Sequence, residues 1–289
     1  MKKIKFIFLG CLVLLVATGC FKRDTLENID VITTVYPIEY VSTMLYGEHS
    51  TITSIYPNDT DAFTYELTNK QVNDHSKKDL FIYNGITDDK DIAFEFLNKN
   101  KKLLIIDATY GMDITHHEAE LWLNPSNLLM LSQNIRNGLK EYITNSYLKK
   151  EIDKNYEELK VKLSELDAEL RLTASNASKK TVVVNSDALK FLEKYGFEVI
   201  SLDSTNVTIS EKTVQDVNDL IANGTIKTVF LLQNEKNSSE LEQIIENGNI
   251  STSVFKRIDT ITDSERKNKD NYLTIMTNNI ELLKKELYD

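Results

Sequence analysis

Short runs of β-branched and aromatic residues alternate along the chain with stretches of helical period. In the first half the runs are Val31–Tyr36, Thr51–Tyr56, Leu80–Tyr83 and Lys102–Asp107. In the second half they are Thr181–Val184, Glu198–Leu202, Thr228–Leu232 and Ser253–Ile258. Runs that are apolar on both faces and separated by helices predict parallel strands in βα units, because only a sheet covered on both sides needs them. The fold class is therefore α/β: two lobes, each a small, mostly parallel sheet flanked by helices. The two halves do not align residue by residue, so the similarity is one of architecture and not of an internal repeat.

Between the halves lies the strongest periodic signal. Leu148, Ile152, Tyr156, Leu159, Leu163, Leu166 and Leu170 recur at steps of three and four, which predicts a one-faced helix from Ser146 to Ala174. Such a stripe also suits a coiled-coil dimer. It spans only a few heptads, however, and it sits between two lobes that each need a covering helix. The preferred reading is a stiff spine packed along both lobes. The organisation that follows is an N-terminal lobe over 30–145, a linking helix over 146–176 and a C-terminal lobe over 177–289.

The N-terminus departs from this pattern. A basic start, Met1 to Lys5, precedes an apolar run from Phe6 to Ala17, shorter than the roughly 20 residues a membrane-spanning helix requires. It ends in Ala17-Thr18-Gly19-Cys20, a lipoprotein-type cleavage pattern that makes residues 1–19 a signal peptide and Cys20 the acylated residue. Cleavage before Cys11 would leave too short an apolar run. Residues 20–29 are polar and aperiodic and read as a tether. With Cys20 lipidated and Cys11 removed, no thiol remains for a disulfide, a thiolate metal site or a nucleophile. The formal net charge is −10, and removing residues 1–19 takes away three lysines and no acid. A surface this acidic repels nucleic acid and favours cations if it favours any ligand. The expected location is the extracytoplasmic face of the cell membrane, as a monomer held by lipid.

Several strings, in order, resemble the metal-receptor family of ABC importers, the zinc and manganese substrate-binding lipoproteins. They are Val31-Ile32-Thr33-Thr34-Val35-Tyr36-Pro37-Ile38, Tyr56-Pro57 with Tyr65-Glu66, and Asp79-Leu80-Phe81-Ile82-Tyr83-Asn84-Gly85. Further on come Leu121-Trp122-Leu123-Asn124-Pro125, Asp187-Ala188-Leu189 with Tyr195-Gly196, and Asn271-Tyr272-Leu273 with Asn278-Asn279-Ile280. The resemblance covers residues 30–289 and implies a receptor that captures a divalent metal ion between its lobes and delivers it to a permease.

The family typically holds that ion with histidines and carboxylates, and here the match thins. The position two residues before Tyr65 is Phe63; that before Trp122 is Glu120; that before Ala188 is Ser186. The fourth position keeps a carboxylate, Asp259, expected at the end of the last strand. Glu120 and Asp259 are thus the candidate metal ligands. Phe63 offers none and Ser186 a weak neutral one, with Asp61, Asp187 and Glu66 as neighbouring candidates. Two facing carboxylates would repel without a cation, so a hard ion such as manganese or calcium is one reading and a metal-free cleft the other. Phe63 leaves open a small organic solute instead, and a surface adhesion module is the wider alternative. No resident cofactor is expected.

His116 and His117, in a loop before Glu120, could supply imidazole or do nothing; His49 and His75 read as surface residues. Glycine is scarce at nine residues, and no phosphate-binding glycine loop or Gly-x-Ser-x-Gly elbow is present. The chain is not expected to be an enzyme.

Overall fold

The computed structural model describes residues 26–112, 119–205, 207–248 and 250–288. The expected signal peptide over 1–19, the expected acylation site Cys20 and the pair His116 and His117 lie outside the described residues. In the N-terminal lobe the order is β1 (Ile29–Thr33), α1 (Tyr36–Tyr46), β2 (Ser50–Ser54), α2 (Asn69–His75), β3 (Leu80–Tyr83), α3 (Asp89–Lys99) and β4 (Leu104–Asp107), then α4 (Pro125–Tyr142). The spine α5 (Ser146–Asn176) leads to β5 (Thr181–Val184), β6 (Glu198–Ser201), α6 (Glu211–Ala222), β7 (Thr228–Leu232), α7 (Ser239–Gly248) and β8 (Ser251–Phe255). Two helices close the chain, α8 (Asp263–Asn268) and α9 (Tyr272–Leu287).

Both sheets are parallel and four-stranded, with orders β2-β1-β3-β4 and β6-β5-β7-β8. The central strands are buried on both faces: Leu80, Phe81 and Ile82 in β3, and Val182, Val183 and Val184 in β5, are all covered. That burial is why these runs carry no period-two alternation. The expected runs Leu80–Tyr83, Thr181–Val184 and Thr228–Leu232 coincide with strands. The last does not: β8 begins at Ser251 and ends at Phe255, so Lys256 to Asp259 is loop, and Asp259 stands four residues beyond the strand.

The spine starts where Asn145 accepts a hydrogen bond from the Tyr147 amide at 2.9 Å, an N-cap. Its 31 residues run about 46 Å at ~1.5 Å per residue. Leu148, Ile152, Tyr156, Leu159, Leu163, Leu166 and Leu170 are buried, and the helix packs on α1 and α4 of one lobe and α9 of the other. The chain's own helices therefore satisfy the stripe that could have dimerised. One apolar cluster runs through both lobes by way of the spine, and a second, smaller one around Val183, Val217, Val229 and Leu241 lies under α6 and α7. Among the described residues no helix is long and apolar enough to cross a membrane.

Candidate metal centre between the lobes

In a parallel sheet the loops that follow the strands collect at one edge, and here the two edges face each other. The segments after β1 and β2 are stitched directly to the loop after β8. The Tyr36 amide donates to the Asp259 carbonyl at 2.8 Å and the Asp59 amide to the Ile261 carbonyl at 3.2 Å. On the other flank, the Trp122 indole Nε1 donates to the Arg257 carbonyl at 2.8 Å, and the Tyr272 hydroxyl to the Trp122 carbonyl at 2.7 Å. Trp122 is fully buried, as its structural reading requires.

At the centre sits Arg257, which falls inside the expected strand run Ser253–Ile258 but lies in the loop beyond β8. Its Nε lies 3.1 Å from Oδ1 of Asp259 and its Nη2 3.0 Å from Oδ2. Nη2 also contacts Oδ1 of Asp61 in a short ion pair. Asp259 Oδ2 accepts a further bond from the Ala62 amide at 2.9 Å. The Arg257 and Asp259 side chains are only 4% and 5% exposed. The guanidinium lies over the Phe63 ring, 4.7 Å from its centroid, and that ring stacks in turn on Trp122 at 6.3 Å. Phe63 is 39% exposed, so it walls the cleft and floors the arginine at once. A guanidinium pinned by a fork of carboxylate bonds and a π face is held far more rigidly than a lysine would be. Between Arg257 and Asp259 the chain turns through Ile258 at φ 64°, a left-handed conformation that is costly for a β-branched residue. That turn brings the two charged side chains to the same side.

Glu120 flanks this cluster. Burial pushes its carboxyl up to about 7, an effect partly offset by a backbone hydrogen bond and Arg257 and reinforced by the charges of Glu235 and Asp259. Burial raises Glu235 as well. The structure thus gathers Phe63, Glu120 and Asp259, with Asp61 and Glu235 added, around one guanidinium. Ser186 occupies the same edge of the C-terminal sheet, but its hydroxyl accepts the Ala188 amide at 3.3 Å as the cap of a short 3-10 helix. Asp187 pairs with Lys190 at 2.8 Å instead of facing the cluster, and Glu66 lines a neighbouring cavity of about 560 Å³ beside Phe63 and Ala119. Among the described residues, no group of three metal-capable side chains lies here with its donor atoms mutually close; the arginine separates them.

Glu120 gives a pH test. Its folded-state value of about 7 exceeds the ordinary 4.5 of a glutamate, so the fold holds the proton more tightly than the unfolded chain does. Its contribution is therefore intact below about pH 4.5 and is lost as pH rises through 7. Glu120→Gln is expected to leave stability unchanged at pH 4.5 and to raise it by roughly 2 kcal/mol at pH 8, read by urea unfolding. A variant no more stable than the parent at pH 8 would show that Glu120 is not held in a desolvated place.

Residues 31–286 match the family described as zinc-uptake complex component A periplasmic, ZnuA. The zinc-binding lipoprotein AdcA of Streptococcus pneumoniae is 22% identical over 310 residues, covering 98% of this chain. The chain spans 61% of that relative's length. The manganese ABC transporter substrate-binding lipoprotein PsaA of Streptococcus mitis is 25% identical over 306 residues and 97% of each chain. The Zn(II)-bound ZnuA-like domain of Streptococcus pneumoniae AdcA superposes with a TM-score of 0.74 at 21% identity, over 91% of this chain and 100% of that one, a likeness of fold. Two parallel four-stranded sheets bridged by the spine are the two-lobe fold of that structure, and the chain belongs to the ZnuA family, described as zinc-uptake complex component A periplasmic.

Proposed function

We propose that this chain is the extracytoplasmic receptor of an ABC importer for a divalent cation of the zinc or manganese class, and that Arg257 holds the cation's place until cargo arrives. In this reading residues 1–19 are removed, Cys20 is acylated to anchor the protein to the membrane, and the tether is shorter than the expected 20–29, because Leu26 is buried in the core and Ile29 already belongs to β1. The lobes 30–145 and 177–289, bridged by 146–176, present the cleft to a permease as a monomer, with no part for nucleic acid.

The observation that carries the reading is the guanidinium bound to both Asp259 and Asp61. Four acids, Asp61, Glu120, Glu235 and Asp259, surround that single positive charge. The pocket keeps an excess of negative charge, which suits a cation that can displace the arginine. Oxygen donors favour a hard ion, so manganese fits this set better than zinc, with water completing the shell.

A second reading rests on the closeness of the same contacts. Both Asp259 oxygens are already bound and Phe63 floors the arginine. The ion pair would then be permanent, and the chain a module for another small solute or for surface adhesion. Metal content measured by mass spectrometry without chelator, together with manganese and zinc thermal-shift titrations of the parent and Arg257→Met, separates the two. The receptor reading expects one cleft ion per chain, bound more tightly by the variant and lost on Asp259→Asn. Metal binding and thermal shifts that do not change with Arg257→Met or Asp259→Asn would leave the second reading standing.

A further inference from the structure

We propose a second cation site, for a zinc-class ion, formed by Glu48, His49 and Glu151 where the turn between α1 and β2 meets the spine. It lies at the opposite edge of the N-terminal sheet from the cleft, since Glu48 and His49 immediately precede β2. One ligand atom from each of the three residues falls within 4.8 Å of the others. His49 Nε2 stands 3.1 Å from Oε1 of Glu151, with the two side chains 22% and 18% exposed. A tetrahedral zinc with bonds of roughly 2.0–2.1 Å places neighbouring donors about 3.3 Å apart. The histidine–glutamate pair already has that spacing, and the exposed Glu48 has only to turn inward.

Two poorly satisfied atoms support the site, since the 3.1 Å ion pair of His49 Nε2 leaves both without a well-formed hydrogen bond. His49 Nε2 and Glu151 Oε2 are enclosed and form no hydrogen bond, despite the closeness of the other carboxylate oxygen. A metal ion would satisfy both at once. The frame around them is fixed. The His49 amide donates to the Tyr46 carbonyl at 3.1 Å, and its carbonyl accepts from the Asn28 amide at 2.7 Å. The imidazole lies against the Tyr46 ring at 5.4 Å. One turn along the spine from Glu151, Asn155 donates to the Leu45 carbonyl at 3.1 Å, tying the end of α1 to the helix. Three protein donors leave a fourth position for water, and the ion would staple the N-terminal lobe to the spine.

The site is tested with zinc alone on the full chain carrying His116→Ala and His117→Ala, so that the loop histidines do not contribute. Equilibrium dialysis is expected to retain one zinc that survives Glu120→Gln and Asp259→Asn. It is expected to be lost, with its thermal stabilisation, in His49→Gln and in Glu151→Gln. X-ray absorption of the bound zinc is expected to fit one nitrogen and otherwise oxygen neighbours. Zinc retained unchanged in His49→Gln and Glu151→Gln, or no zinc bound at all, would overturn the site. The cleft reading is scored separately, on the Arg257 and Asp259 variants. Circular dichroism of each variant shows whether it is folded, and His49→Ala gives a second substitution if His49→Gln is not.

Discussion

Arg257→Ala is expected to lower the stability of the metal-free protein by about 3–5 kcal/mol, because it strands Asp259 in a place almost closed to water. For a chain of this size each kcal/mol is worth roughly 2–4 °C, so the melting temperature should fall by ~10 °C in the presence of chelator. The same change is expected to strengthen manganese binding at least ~10-fold, since 1.4 kcal/mol already corresponds to a factor of ten. The removed charge would have repelled a divalent ion by more than that at an effective dielectric constant of ~20. Manganese should then recover part of the lost melting temperature. A variant that loses stability and gains no metal affinity would mark Arg257 as a structural residue only. A variant that loses neither would show that the fork on Asp259 carries little energy.

Trp122→Ala is expected to cost about 3–5 kcal/mol, the usual range for emptying a buried aromatic site. The indole is fully buried, stacks on Phe63 and donates to the Arg257 carbonyl at 2.8 Å. Its removal leaves that carbonyl without its partner and the floor of the arginine without support. Amide exchange should accelerate first in residues 256–262, where the loop is pinned from the other lobe by the Thr60 carbonyl and the Asp59 and Tyr36 amides. Because Trp122 and Arg257 share Phe63, the double variant should fall short of the sum of the two single losses. Urea unfolding that finds a loss below about 1 kcal/mol would mean that the interlobe contacts do not depend on the indole.

The fold was largely legible because its signals are local. Leu80–Tyr83 and Thr181–Val184 are runs of apolar residues buried on both faces, and the stripe from Leu148 to Leu170 has one period and one face. The site was less legible, and for a physical reason. Phe63, Glu120 and Asp259 are candidates only through the family resemblance, by their places two residues before Tyr65 and Trp122 and at the end of the last strand run, and the fold sets all three around Arg257. Arg257 was hidden by the extension of β8 to Ile258, which made it one more charged residue at the end of a strand. Its partner Asp61 is 196 positions away, a separation no periodicity reports. A signal was available: a cleft that has exchanged imidazoles for acids must find positive charge somewhere, and Arg257 stands two residues before Asp259. The polar Gly-Glu turn before His49 predicts a surface residue. Its imidazole is in fact mostly enclosed against Tyr46 and Glu151, because the turn folds back on the spine instead of into solvent.

Anomalous diffraction at the manganese edge, from crystals of the parent and of Arg257→Ala grown with the metal, decides between a placeholder and a permanent lock. The expected result is a peak within bonding reach of Asp61, Glu120 and Asp259, with higher occupancy in the variant, and with the guanidinium turned away wherever the parent is loaded. No peak at those carboxylates in either crystal, with Arg257 still forked onto Asp259 in the parent, would contradict it.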